Sequence, residues 1–209
     1  MLIVHHLNNS RSQRILWLLE ELGLPYEIKA YSRDAVTNLA PPELKTVHPL
    51  GKSPVLEDDG KIVIESGAIT DYIIRRHGGG RLAPAPGSDA HETYLEWLHF
   101  AEGSAMTPFL LALYTGRLGE AAAPLQPRIQ EQIGAHVAYF SSQLGSNDWL
   151  VENTLSGADI MMSFIAEIAT AQGLGTHFPN VAAYVRRLQA RPAWQAAAAK
   201  TEPYNFTQK

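Results

Sequence analysis

Short apolar runs and one amphipathic helix alternate at the start of the chain. Leu2-Ile3-Val4 is a candidate buried strand, residues 12–22 carry helical periodicity, and residues 26–30 alternate as a second strand. Gly23 and Pro25 end the helix between the strands. A strand, a helix and a strand joined by short loops predict a right-handed crossover between parallel strands.

A loop, two short strands and a helix start are predicted between His48 and Ser66. The runs 55–57 and 62–64 are short and mostly apolar, and Asp59-Gly60 between them fits a type I′ hairpin turn, which needs positive φ at its centre. Ser66 then begins a helix and is expected to cap it. With a short helix near Pro41-Pro42, the order βαβ, helix, ββα predicts a thioredoxin-like α/β domain.

Only helical periodicity follows a segment rich in Gly, Pro and Ala. We expect an α/β domain over residues 1–79, a linker over 80–87 and an all-α domain over 88–209. The first long helix of the second domain is predicted from Ser88 to about Gly116, with a kink at Pro108. Further helices are predicted over 127–144, from Ser156 to near 171, and over 179–190 and 192–200.

Composition and charge narrow the possible functions. The 209 residues carry a net charge of −4 without a Lys/Arg run, which argues against nucleic acid as the partner. With no cysteine, any thiol chemistry must use a substrate's sulfur. We expect a cytoplasmic protein that binds no membrane, because no signal peptide or transmembrane run is apparent. His5 and His6 have no third ligand at a metal-binding spacing, so no metal is expected.

Glu65-Ser66 brings a carboxylate, a hydroxyl and free backbone amides to one helix start. Such amides bind a carboxylate well, and Glu65 beside them suits an ammonium, so an α-amino acid head would fit the pair. The alternative is that Glu65 only complements the helix dipole and Ser66 only caps the helix. These two residues alone leave both interpretations open.

This part of the chain resembles the glutathione-binding half of the glutathione transferases. The matching stretches are Gly51-Lys52-Ser53-Pro54-Val55-Leu56 and Glu65-Ser66-Gly67-Ala68-Ile69, at the family's spacing. The capping box Ser156-Gly157-Ala158-Asp159 is similar to that of the family's helical domain, so the resemblance covers the whole chain. The stretch 7–17 looks most like a serine-type bacterial and fungal branch. The resemblance implies the glutathione transferase fold and a homodimer.

The resemblance also assigns roles to individual residues. Ser53, before a cis-proline at Pro54, would pair with the cysteinyl backbone of glutathione through its main chain. Glu65 and Ser66 would hold the γ-glutamyl end. Lys52 would meet the glycine carboxylate, unless it is an exposed loop lysine without a ligand.

The candidate activator of the thiol lies in the loop before the first helix. A thiol with a pKa of about 8.5 is mostly protonated at neutral pH, so a transferase must stabilise its thiolate. Ser10 is the first candidate donor to the sulfur, Asn9 the second and Ser12 the third. Ser10-Arg11-Ser12-Gln13 also fits a capping box, in which case Ser10 only caps the helix.

Four side chains of the helical half are candidates for an apolar second-substrate pocket beside the thiol. The alternative is that these residues belong to the core or to a dimer interface. They are Phe100, Met106, Phe109 and Tyr114.

The favoured function is that of a glutathione transferase, which adds the glutathione thiolate to a small apolar electrophile or reduces a hydroperoxide, as in detoxification. One alternative is a glutathione-dependent peroxide or disulfide reductase in which glutathione supplies every sulfur. Another is a non-catalytic glutathione-binding or interaction protein on the same scaffold. Such a protein would keep Pro54 and Asp159 but need not keep Glu65 and Ser66.

Overall fold

The computed structural model describes residues 1–202 and Phe206, which divide into two compact units. The first unit contains Met1–Pro84 and residues 189–202, and the second contains Ala85–Leu188 and Phe206. The division after Pro84 falls inside the expected linker. Residues 189–202, which were expected in the helical domain, group instead with the first unit.

The first unit is built on a four-stranded sheet in the order β2-β1-β3-β4. β1 is parallel to β2 and antiparallel to β3, and β3 is antiparallel to β4. This arrangement confirms the predicted thioredoxin-like order. The elements are β1 (Leu2–Leu7), α1 (Ser12–Leu22), β2 (Tyr26–Tyr31), α2 (Leu44–Val47), β3 (Val55–Asp58), β4 (Lys61–Ile64) and α3 (Ser66–Arg76).

Local turn chemistry fixes the hairpin between β3 and β4. Asp59 has a φ of 46° and Gly60 a φ of 85°, so both central residues lie in the left-handed region that a type I′ turn requires. This conformation is accessible to glycine and tolerated by aspartate. The predicted turn is therefore confirmed.

Helix α1 is buried along nearly its whole length. Its leucines and Ile15 are buried in the core, and α9 (Pro192–Ala199) packs against the same helix. Arg191 forms a bidentate ion pair with Glu21, and Lys200 pairs with Glu20. Helix α9, which follows the second unit along the chain, therefore completes the first unit.

The second unit is helical in the part that the structure describes. Its elements are α4 (Asp89–Phe100), α5 (Met106–Gly116), α6 (Gln126–Leu144), α7 (Gly157–Ala171) and α8 (Pro179–Gln189). The helix expected from Ser88 to about Gly116 is present as α4 and α5, which are joined by a π-helical segment, Ala101–Ala105, that the sequence did not predict. Pro108 lies three residues past this segment, and the kink expected there stays a prediction.

A buried capping box begins α7 as predicted. The Ser156 N–H donates to Asp159 Oδ2 at 2.9 Å, and the Ala158 N–H donates to Ser156 Oγ at 3.3 Å. Asp159 Oδ1 also accepts from the Leu150 N–H and the Tyr184 hydroxyl, both at 3.1 Å. Burial raises the pKa of Asp159 to about 6, although these donors act in the opposite direction.

None of the helices in residues 1–202 combines the length and the apolar character needed to cross a membrane.

Candidate functional site

The sheet topology brings three separate segments to one end of the first unit. His5 in β1 pairs with Val55 in β3, and Val55 pairs with Ile64 in β4. Because β1 and β4 both run antiparallel to β3, the residues after β1, before β3 and after β4 share one end of the sheet. These residues are the 8–10 loop, Ser53-Pro54 and Glu65-Ser66.

Two helices begin at that same end. α1 starts directly after the loop that follows β1, and α3 starts directly after β4. The first amides of a helix lack intrahelical partners and carry partial positive charge. This end of the sheet therefore suits negatively charged groups, such as a carboxylate and a thiolate.

Ser53 is attached to the sheet through its side chain. Its hydroxyl donates to the His5 carbonyl at 2.8 Å and accepts from the Leu7 N–H at 3.1 Å. It thus continues the pairing of β1 past the end of β3. The Ser53-Pro54 bond is cis, as the resemblance implied. Lys52, the preceding residue, is exposed.

Glu65 has an unusual backbone conformation at the start of α3. Its φ is 68° and its ψ is 123°, and a non-glycine residue in a sparsely populated region costs about 1–3 kcal/mol. The side chain of Glu65 is exposed, and the next residue, Ser66, is buried. The expectation that Ser66 caps α3 is wrong, because Glu65 is the N-cap residue and Ser66 is already helical.

The loop before α1 forms only part of the expected capping box. The helix begins at Ser12, and Ser10 Oγ accepts from the Ser12 N–H at 3.3 Å as a capping serine does, while the side chain of Gln13 bonds to Thr201. Ser10 retains 5% of its exposure and Ser12 none. Asn9 is half-buried with a φ of 50°. Burial therefore makes Ser12 the weakest of the three candidates for contact with a ligand.

A chain of hydrogen bonds links this loop to the interior of β1. The hydroxyls of Ser10 and Ser12 are 2.8 Å apart, and Ser12 Oγ is 2.8 Å from Nδ1 of His6. Burial lowers the pKa of His6 to about 4, so the imidazole is neutral at pH 7. Sequence reasoning considered His6 only as a metal ligand and missed its contact with Ser12. No group of three metal-ligating side chains occurs among residues 1–202 and Phe206.

Arg33 clamps the same loop, which sequence reasoning also missed. Its guanidinium donates to the carbonyls of Asn8 at 3.1 Å, Asn38 at 3.0 Å and Asn9 at 3.3 Å. Its backbone N–H donates to the Asn8 side chain at 2.8 Å. Arg33 lies just after β2, so only the parallel pairing of β1 with β2 reveals its proximity to the loop.

The four candidates for the second-substrate pocket differ in their burial. Met106 and Phe109 are buried, and Tyr114 is 55% exposed. Phe100 alone of the four lines an open pocket of about 530 Å³, where it lies next to Trp97 and Tyr139. The lining residues are Glu96, Trp97, His99, Phe100, Gly103, Ser104 and Tyr139.

Comparison with known proteins identifies similar chains along the whole sequence. Family models described as the glutathione S-transferase N-terminal and C-terminal domains match residues 1–75 and 100–192. Glutathione S-transferase 3 of Schizosaccharomyces pombe is 34% identical over 222 residues, which cover 99% of this chain and 90% of the relative.

Solved structures share the fold of this chain and part of its sequence. A glutathione S-transferase from Actinobacillus pleuropneumoniae matches with a TM-score of 0.90 and 34% identity, covering 100% of this chain and 97% of that one. A sphingomonad glutathione S-transferase complexed with glutathione matches with a TM-score of 0.79 and 25% identity, covering 95% and 98%.

Proposed function

The chain belongs to the glutathione S-transferase family, and from that premise we propose that it activates the thiol of glutathione and transfers the thiolate to a small apolar electrophile. The observation that carries the proposal is the convergence of the 8–10 loop, Ser53 and Glu65-Ser66 at one end of the sheet. The same end holds the N-termini of α1 and α3, which favour a carboxylate and a thiolate.

Four residues bind glutathione in this proposal. The exposed Glu65 carboxylate attracts the α-ammonium of the γ-glutamyl end, and Ser66 with the first amides of α3 receives its carboxylate. Ser53 pairs with the cysteinyl unit through its main chain, since its side chain already bonds to β1. Lys52 is exposed beside it and meets the glycine carboxylate.

Ser10 is the proposed hydrogen-bond donor to the sulfur, and Asn9 is the second candidate. A donor aimed at the thiolate stabilises it relative to the thiol, and each pKa unit gained corresponds to about 1.4 kcal/mol. Ser10 lies next to the positive end of α1, which adds to the same effect. Neither residue attacks the electrophile, because the substrate supplies the only sulfur nucleophile.

The remaining parts of the proposal rest on the family resemblance. We place the protein in the cytoplasm as a homodimer with a role in detoxification. Phe100, Met106, Phe109 and Tyr114 stay the candidates for contact with the electrophile. Analytical ultracentrifugation at micromolar protein tests the dimer, and a sedimenting monomer would refute it.

A calorimetric titration with reduced glutathione near pH 7 tests the function. Run in two buffers of different ionisation enthalpy, it measures both affinity and the protons released on binding. We expect binding with proton release, followed by turnover of chlorodinitrobenzene. Binding without release describes a glutathione-binding protein without thiol activation, and no binding at millimolar glutathione refutes the proposal.

Two variants separate the candidate donors to the sulfur. Ser10→Ala removes the hydroxyl, and Asn9→Gly removes the amide while keeping a residue that tolerates a φ of 50°. We expect Ser10→Ala to raise the pKa of the bound thiol by about one unit, and Asn9→Gly to leave it unchanged. The reverse pattern would transfer the role to Asn9.

A further inference from the structure

Three buried polar side chains stand in a row behind the proposed sulfur site. His6 retains 4% of its exposure, Ser12 none and Ser10 5%. Nδ1 of His6 lies 2.8 Å from Ser12 Oγ, and Ser12 Oγ lies 2.8 Å from Ser10 Oγ. The backbone N–H of Ser12 donates to Ser10 Oγ at 3.3 Å. Because buried hydrogen bonds polarise one another, the three groups act as a unit.

Within this row the hydrogen bonds can run in two directions. If Nδ1 of His6 is bare, it accepts the Ser12 proton, and Ser12 in turn accepts the Ser10 proton, so the Ser10 proton stays within the row. If Nδ1 carries hydrogen, it donates to Ser12, Ser12 donates to Ser10, and the Ser10 proton points away from Ser12. The Leu7 carbonyl, at 3.3 Å from Ser12 Oγ, is a weaker competitor for the Ser12 proton.

The charge state of His6 excludes a role as the base. A pKa of about 4 leaves the imidazole neutral at pH 7 by about a thousand to one, so it is a poor acceptor for the thiol proton. A neutral imidazole still differs between its two tautomers, because each nitrogen is a donor in one and an acceptor in the other. His6 therefore influences the row by setting the direction in which its hydrogen bonds point.

We propose that His6 is a positioning residue, which in its Nδ1–H tautomer donates to Ser12 and thereby directs the Ser10 proton to the sulfur of bound glutathione. The inference rests on the proposed function, in which Ser10 is the donor to the sulfur. A thiolate selects this arrangement, because the opposite one would place Ser10 lone pairs against a negative charge.

His5 provides a matched control on the same strand. It is buried to the same degree, but alternation along β1 points its ring to the other face of the sheet. There it contacts the Tyr31 hydroxyl at 2.9 Å and the Glu57 carboxylate at 3.3 Å. Replacing His5 therefore perturbs the same strand without touching the serine row.

The test measures the pKa of glutathione bound to the full-length protein from the ultraviolet absorbance of its thiolate. His6→Phe keeps a ring but removes the donor, and His6→Asn restores a short group with an N–H donor. We expect His6→Phe to raise the pKa of the bound thiol by about one unit, His6→Asn to recover most of the change, and His5→Phe to have no effect. Ser12→Ala should match His6→Phe.

A second readout follows the tautomer without any substitution. Nitrogen–proton correlation spectra of the histidine rings should show His6 as the Nδ1–H tautomer when glutathione is bound as thiolate. A bound protein whose His6 stays in the Nε2–H tautomer refutes the inference, even if a His6 variant fails to fold.

The outcomes separate this inference from the proposed function. If the wild-type protein binds glutathione with an unchanged thiol pKa, both fail. If the wild type lowers that pKa and folded His6→Phe and Ser12→Ala lower it equally, only the positioning role of His6 is wrong.

Discussion

Two buried polar clusters, one in each unit, satisfy their hydrogen bonds in different ways. In the second unit, Asp159 accepts from backbone N–H groups and from Tyr184, all of which are donors in fixed positions. In the first unit, Ser10 and Ser12 are joined to His6 by hydroxyls that have two possible directions. Equal burial thus gives one cluster that only supports the fold and another that can respond to a charge.

The largest expected effect on stability comes from a substitution in the cluster around Asp159. Asp159→Asn turns one acceptor into a donor, which then faces the Leu150 N–H or the Ser156 N–H. Losing hydrogen bonds from a buried charged group should lower the free energy of unfolding by about 4 kcal/mol. Denaturant titration checks the value, with Asp148→Asn at an exposed ion pair as the control. A loss below about 1 kcal/mol would contradict a structural role for Asp159.

As the pH falls, the contribution of His6 to the free energy of unfolding should decrease and that of Asp159 should increase. The pKa of His6 is lowered to about 4 from 6.5, so the folded state binds fewer protons between these values and His6 costs stability as the pH falls through them. The pKa of Asp159 is raised to about 6 from 3.8, so Asp159 adds stability as the pH falls from 6 to 4.

Each contribution should amount to about 3 kcal/mol over its window. Denaturant titrations between pH 4 and pH 7 measure it as the difference between the wild type and His6→Phe, and between the wild type and Asp159→Asn. The two differences should change in opposite directions with pH. Two slopes of the same sign would contradict the environment that we describe for one of the groups.

A ligand-binding effect of intermediate size should come from Glu65, without a loss of stability comparable to that of Asp159→Asn. Glu65→Ala should weaken glutathione binding by more than tenfold, about 1.4 kcal/mol, because the exposed carboxylate has a ligand to hold. Glu152→Ala is the matched control, since Glu152 is also exposed and has a φ of 49°. Near-normal affinity of Glu65→Ala in the calorimeter would remove Glu65 from the site.

The smallest expected effect concerns the clamp on the 8–10 loop. Arg33→Lys keeps the charge but cannot reach three carbonyls at once, so it should cost about 1 kcal/mol of stability. Amide hydrogen exchange should show faster opening of Asn9 and Ser10 than in the wild type. Unchanged exchange would mean that the loop holds its shape without Arg33.

Sequence reasoning succeeded where the chemistry is local. The Asp59-Gly60 turn and the box that Asp159 completes depend on neighbours within a few residues, and both are as predicted. It failed where partners come from tertiary structure. His6 and Ser12 are six residues apart across a loop, and Arg33 reaches Asn8 only because β1 and β2 are parallel.

Two further differences have equally physical causes. The box at Ser10 is half formed, because Ser10 Oγ accepts from the Ser12 N–H but the side chain of Gln13 bonds to Thr201. The helix predicted after Ser88 is present, but it widens into a π-helical segment shortly before Pro108, which the pattern of residues did not indicate.

Because α9 packs against α1, the first unit of the nascent protein cannot be completed before α9 has been synthesised. A ribosome that has released residues 1–84 has delivered the whole sheet with α1 and α3, but not Arg191 and Lys200, the cations that pair with Glu21 and Glu20. Until the ribosome has passed the whole second unit, the surface of α1 that α9 covers stays open to water and to other nascent chains. The unit encoded first is thus completed last, after the contiguous helical unit that follows it.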